Sequence, residues 1–245
     1  MSRSLDHMPD DLVQPEDAAR HVGEILAGAA TWQRYRPRMR EDTGPEADPS
    51  EISRQTEALL DLLAEREINC VLVGAVAMLQ YVPGRNTKDI DFIMPKSELR
   101  RCPEIVVFHE DETFCQASFG CVNVDFLYSR HRLFQEVAVN YCTVRHISGH
   151  LIKCATPTGL VILKLFAIPS LLYQFREGKI RQYESDIEGM IETCEVPDDE
   201  VLALLQKHLK PGELLAVKTV LTDLRARIAT RKGWMEEFRK DLPQG

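Results

Sequence analysis

The sequence contains no apolar run of the roughly 20 residues that a membrane-spanning helix needs. Its longest apolar stretch, Leu160 to Leu172, is interrupted by Lys164 and Pro169. The opening residues Met1 to Asp11 have no apolar segment of the secretory type, so neither a signal nor a membrane anchor is expected. No Cys-x-x-Cys pair occurs, and the seven cysteines (70, 102, 115, 121, 142, 154 and 194) are odd in number and scattered. That pattern argues against a disulfide framework or a zinc site, and for small buried thiols in a reducing, cytoplasmic compartment. Basic residues are not in surplus either: 30 Lys and Arg stand against 38 Asp and Glu, a net charge of −8. Broad charge-driven binding of nucleic acid is thereby disfavoured, although a local basic groove is not. There is no internal repeat and no long low-complexity tract. What is present, 44% hydrophobic and 28% charged residues, is the composition of a folded globular chain.

The chain divides into three stretches. Residues 1–50 read as an extension: an amphipathic segment from Glu16 to Ala30, an Arg-rich segment, and a linker from Glu41 to Ser50 with two prolines, a glycine and four acids. Residues 51–156 alternate short helical and strand-like patterns. Ser50 is a plausible N-cap for a helix ending near Arg66. Strands are expected at 69–73, 88–94, 104–108 and 121–128, with weaker candidates at 141–146 and 151–154. Thr156-Pro157, an N-cap followed by proline at the first helical position, opens a helical stretch over 157–245. Helices are expected there at 158–173, 182–194, 198–208 and 213–228.

The most informative segment is Gly74-Ala-Val-Ala-Met-Leu-Gln-Tyr-Val-Pro-Gly-Arg85-Asn-Thr87-Lys-Asp89-Ile-Asp91-Phe. Asp89 and Asp91 lie two apart in a strand, so their side chains leave the same face about 7 Å apart along it. A divalent cation with oxygen ligands is the usual remedy for their repulsion. Asp125 stands within the apolar run Val122-Asn-Val-Asp-Phe-Leu-Tyr128, where a lone carboxylate is expensive to bury. If its strand lies beside the first, three acids can share one Mg²⁺ site. Each also has an ordinary structural reading: Asp89 capping a turn, Asp91 paired with Arg85 or Lys88, and Asp125 at a sheet edge facing water.

The joint pattern is glycine at a strand end, a helix, Arg-x-Thr-x-Asp-x-Asp, then an isolated strand aspartate. It resembles the DNA polymerase β-type nucleotidyltransferase superfamily, and within it the bacterial AbiEii-like toxin nucleotidyltransferases and their relatives. The resemblance runs from about Arg54 to Glu192. It implies an α+β fold, with a nucleotidyltransferase-type mixed β-sheet core and flanking helices followed by a C-terminal helical domain. It further implies that Asp89, Asp91 and Asp125 hold one or two Mg²⁺ ions. Gly74 and Ala75 would form the loop that cradles the phosphates of an NTP, and Arg85 and Thr87 fall at the usual positions ahead of the acidic pair. Leu163-Lys164-Leu165 and Asp186-Ile187 match two helices turned toward the cleft. Lys164 would then contact triphosphate, and Asp186 would orient Lys164 or the nucleotide. The activity implied is transfer of an NMP to an acceptor hydroxyl on an RNA 3′ end such as that of tRNA, or on a protein. The toxin half of a toxin–antitoxin pair, with an antitoxin protein as partner, is implied in the same way.

Two positions depart from the pattern. Ala75 stands where a glycine or serine is usual, which removes a hydroxyl but keeps a backbone N–H. Tyr183 stands where an additional aspartate is common. Both departures favour a nucleotidyltransferase-like binding protein without turnover as the alternative, with a small-molecule, antibiotic-type nucleotidyltransferase as a third class. Without the resemblance, Lys164 in its apolar helix would more ordinarily snorkel to the surface. Lys179 and Arg181 could serve phosphate too, but solvent exposure is the better reading for both. Trp32 and Tyr35, interleaved with Arg34, Arg36, Arg38 and Arg40, form either a nucleic-acid-contacting arm or a solvated arm neutralised by Glu41 and Asp42. Arg225, Arg227, Arg231, Lys232, Arg239 and Lys240 crowd the C-terminal region, where they either favour the helix C-terminus electrostatically or could serve a polynucleotide acceptor.

Overall fold

The computed structural model describes residues 49–82, 87, 89–147 and 149–241. The expected N-terminal extension, its Arg- and aromatic-rich segment, and Arg85 lie outside these residues.

Helix α1 (Pro49–Glu65) buries Ile52, Leu59, Leu60 and Leu63 along one side. These spacings keep one apolar stripe on the protein interior. Burial of each such side chain contributes about 1.5–3 kcal/mol. Strand β1 (Val71–Val73) is buried throughout and runs directly into the short helix α2 (Gly74–Met78). Strand β2 (Asp89–Met94) follows, then one turn of helix, α3 (Lys96–Leu99). Strands β3 (Val106–Glu110), β4 (Phe114–Phe119) and β5 (Val122–Tyr128) form a meander, and α4 (Arg132–Asn140) leads to the hairpin of β6 (Cys142–Ile147) and β7 (His150–Ala155). The sequence pattern missed β4 and α4. Phe-Cys-Gln-Ala-Ser-Phe has few β-branched residues, and its place as a strand comes from pairing on both sides.

The seven strands make one mixed sheet in the order β3-β4-β5-β2-β1-β7-β6. The pairings of β2 with β5 and of β1 with β7 are parallel, and the rest are antiparallel. Within the β2–β5 pair the alternation is sharp. Ile90, Phe92, Val124 and Phe126 are fully buried, with the rings of Phe92 and Phe126 stacked 6.2 Å apart. Asp89, Asp91 and Asp125 leave the opposite face and are only half-buried.

Thr156 caps α5 (Pro157–Tyr173), accepting a hydrogen bond from the Gly159 N–H at 3.2 Å. Leu160, Val161, Ile162, Leu165 and Ile168 bury most of this helix's circumference. A helix apolar on nearly all sides belongs in the interior, and α5 packs between the sheet and the helices that follow. These are α6 (Glu177–Thr193), α7 (Asp198–Leu205) and the long α8 (Pro211–Asp241). The architecture is thus the expected one, a mixed sheet with flanking helices followed by C-terminal helices. Cys70, Cys102, Cys115 and Cys154 are buried free thiols, whereas Cys121 is exposed. Among the described residues no helix is long and apolar enough to cross a membrane.

Candidate functional site

A cleft of about 1320 Å³ opens between the acid-bearing face of the sheet and helices α5 and α6. Asp91 and Asp125 are register partners on adjacent parallel strands, and Asp89 pairs with Asn123 one step earlier. Partners in a parallel pair point the same way, and neighbouring strands lie about 4.8 Å apart. The three carboxylates therefore share one wall. The pairing of β2 with β5, which the spacing in sequence left open, decides this.

The electrostatics follow from that crowding. Burial first, and then the charge of Asp89, push the Asp91 carboxyl up to about 6. Lys164, Lys179 and a hydrogen bond from the Ala75 N–H act in the opposite sense. Asp125 is pushed up to about 7, first by burial and then by the charges of Asp91 and Asp89. Among the described residues no three His, Cys, Asp or Glu side chains are already closed around a point as a metal cage. The donor chemistry nevertheless fits a hard divalent cation: three carboxylates on one face and no sulfur or imidazole among them, with the charged forms of Asp91 and Asp125 disfavoured.

Gly74 supplies the room for this wall. It sits at φ +64°, and a Cβ there would fall 1.8 Å from Asp91 Oδ2. The next residue, Ala75, directs its N–H to the Asp91 carboxylate. The loop at the end of β1 is therefore tied to the acidic wall. Thr87 lines the cleft and braces the start of β2, its hydroxyl donating to the Asp89 carbonyl at 3.1 Å.

The facing wall is basic and aromatic. Lys164 is 7% exposed, so it does not snorkel to the surface; its Nζ donates to Asp186 Oδ2 at 2.7 Å. Asp186 is 3% exposed and stands behind Lys164, outside the cleft lining. Lys164 Nζ also lies over the Tyr183 ring, 4.5 Å from its centroid. Lys179 is exposed, as expected, and lines the same cleft with its Nζ 5.2 Å from that centroid. The i, i+4, i+7 spacing of Lys179, Tyr183 and Asp186 on one helix face was the signal for this grouping. Arg181, by contrast, points away and pairs with Glu177 at 3.1 Å.

A further stretch of cleft wall had no sequence signal. Phe134 and Phe166 meet edge to face at 6.1 Å, with His208 beyond them. Among the described residues, Arg225, Arg227 and Arg231 do not form a free basic patch. Arg225 donates to Asp198 and to the Val196 carbonyl, Arg227 reaches Glu184 at 3.3 Å, and Arg231 bridges Glu188 and Glu192 at 2.8 and 2.7 Å. Their formal charge is balanced by helix α6 and the start of α7.

No family model and no curated protein matches the chain. Similar solved structures include an antigenic nucleotidyltransferase-like protein from Paracoccidioides brasiliensis, with a TM-score of 0.49 and 17% identity over 72% of this chain and 90% of that one. ANT(2")-Ia in complex with adenylyl-2"-tobramycin has a TM-score of 0.44 and 15% identity, over 68% of this chain and 98% of that one. A tRNA-processing enzyme in an apo form has a TM-score of 0.30 and 16% identity, over 76% and 59%.

Proposed function

We propose that the chain is a Mg²⁺-dependent nucleotidyltransferase that moves an NMP from an NTP to an acceptor hydroxyl. The observation that carries this reading is the in-register pair Asp91 and Asp125, with Asp89 on the same face, set across a cleft from Lys164. Asp89, Asp91 and Asp125 would hold the metal, which would neutralise charge on the phosphates of the bound NTP. Lys164, kept in place by Asp186, would meet the triphosphate as a point charge. Asp125, on the strand beside the acidic pair, stands closest to a base role and would take the proton of the attacking hydroxyl. The acceptor oxygen would bond to the α-phosphorus as the bond to the bridging oxygen breaks and pyrophosphate leaves.

By the resemblance, the acceptor is an RNA 3′ end such as that of tRNA, or a protein hydroxyl, in keeping with a toxin that has an antitoxin partner. A second reading, a small-molecule acceptor, is favoured by one observation: Arg225, Arg227 and Arg231 are spent on acids and offer polynucleotide little free charge. The test is to incubate the chain with each labelled NTP, Mg²⁺ and, separately, total RNA, protein alone or an aminoglycoside, beside Asp91→Ala. Label moved by the wild type alone establishes transfer and names the acceptor class. Failure of the wild type to transfer label or to bind NTP at saturating Mg²⁺ rejects the reading in favour of a binding protein without turnover.

A further inference from the structure

Tyr183 stands where the resemblance leads one to expect an acid, and its ring lies beneath two ammonium groups, Lys164 at 4.5 Å and Lys179 at 5.2 Å. Both lysines line the cleft, and both act on Asp91 as positive charges. An aromatic face attracts an ammonium through its quadrupole and carries no formal charge. A carboxylate at 183 would also attract the lysines, but it would cancel charge. With Asp186 already balancing Lys164, the trio of Lys164, Lys179 and Asp186 retains one net positive charge. An aspartate at 183 would bring it to zero and would repel an incoming anion.

We infer that Tyr183 is a positioning residue that holds Lys164 and Lys179 at the cleft wall without neutralising them, so that the pair receives the polyphosphate of a nucleotide. This rests on the nucleotidyl-transfer reading for the identity of the ligand, but not for the attraction of an anion. The ring explains how two cations are kept at one wall of the cleft. It also turns a departure from the expected pattern into a gain in anion affinity.

The experiment is calorimetric titration of the full chain with inorganic tripolyphosphate in the absence of metal, and separately with Mg·ATP, for wild type, Tyr183→Phe, Tyr183→Leu and Tyr183→Asp. The metal-free arm does not need the three aspartates. Tyr183→Phe, which keeps the ring, should bind tripolyphosphate within about twofold of wild type. Tyr183→Leu, which removes the ring, should lose about four- to twenty-five-fold, from two contacts each worth about two- to fivefold. Tyr183→Asp should lose at least as much as Tyr183→Leu. In an active preparation Tyr183→Leu should raise KM for NTP with kcat little changed, and thermal melting should show all variants folded. Tripolyphosphate binding by Tyr183→Leu equal to that of wild type overturns the inference, as does equal loss in the Phe and Leu variants, or no binding by the wild type. A wild type that binds tripolyphosphate in this ring-dependent way but transfers no label rejects the proposed enzyme and leaves the role of Tyr183 standing. Transfer by the wild type together with ring-independent binding does the reverse.

Discussion

Gly74 and Asp91 occupy space that only one side chain can fill: a Cβ on Gly74 would fall 1.8 Å from the Asp91 carboxylate oxygen. The left-handed backbone at Gly74, φ +64°, places the Ala75 N–H within reach of the same carboxylate. One glycine thus shapes the loop and admits the acid.

Gly74→Ala should suffer on both counts. Left-handed backbone costs a non-glycine residue roughly 1–2 kcal/mol, and the contact must also be relieved by displacing Asp91. Urea unfolding should show a loss of that size or more, with nucleotidyl transfer reduced further than stability alone explains. Stability equal to wild type would rule out the close approach described.

The acids should trade stability for function. The carboxyls of Asp91 and Asp125 are pushed from the ordinary 3.8 to about 6 and about 7, so the folded state holds more protons than the unfolded state between these values. Their contribution therefore favours folding at low pH and is lost as pH rises through about 6 to 7. Asp125→Asn should be more stable than wild type at pH 8, with the difference disappearing near pH 4. Mg²⁺ should raise the melting temperature of the wild type at pH 8 and have little effect on this variant. Thermal melts across pH with and without Mg²⁺ check both points, and an Asp125→Asn chain less stable at pH 8 would contradict the crowding.

Lys164 and Asp186 are a buried pair, so removal of one leaves the other uncompensated. Lys164→Met should cost about 3–5 kcal/mol. Lys164→Met combined with Asp186→Leu should regain most of that stability while transfer stays lost. Chemical denaturation of the two single variants and the double variant supplies the cycle. A double variant no more stable than Lys164→Met would show that the pair is not the unit that matters.

The C-terminal arginines should behave as structural residues. Arg225→Ala removes hydrogen bonds to Asp198 and the Val196 carbonyl and should cost about 1–2 kcal/mol. Charge reversal at Arg227 should leave acceptor binding unchanged. Filter binding of labelled acceptor, read beside a melting curve, separates the two roles; weakened binding in a fully stable variant would restore these arginines to the acceptor site.

Much of this protein was written in its local sequence. The strand carrying Asp89 and Asp91, the Thr156-Pro157 helix start and the helices after it are set by alternation, capping and apolar spacing, which act over a few residues. Strand β4 and helix α4 were not legible, since the strand depends on neighbours on both sides for its apolar and hydrogen-bonding partners. Lys179 is exposed, as its polar surroundings suggest, and lies one helical turn from Tyr183 on the same face. Only the packing of α6 against α5 decides that this shared face borders the cleft. The sequence by itself determined that Asp89 and Asp91 share a face, because a strand repeats every two residues whatever surrounds it. Only the tertiary structure decided that Asp125 joins them, and that Arg225, Arg227 and Arg231 of α8 meet acids on α6 and α7, because register between strands and packing between helices are properties of segments far apart in the chain.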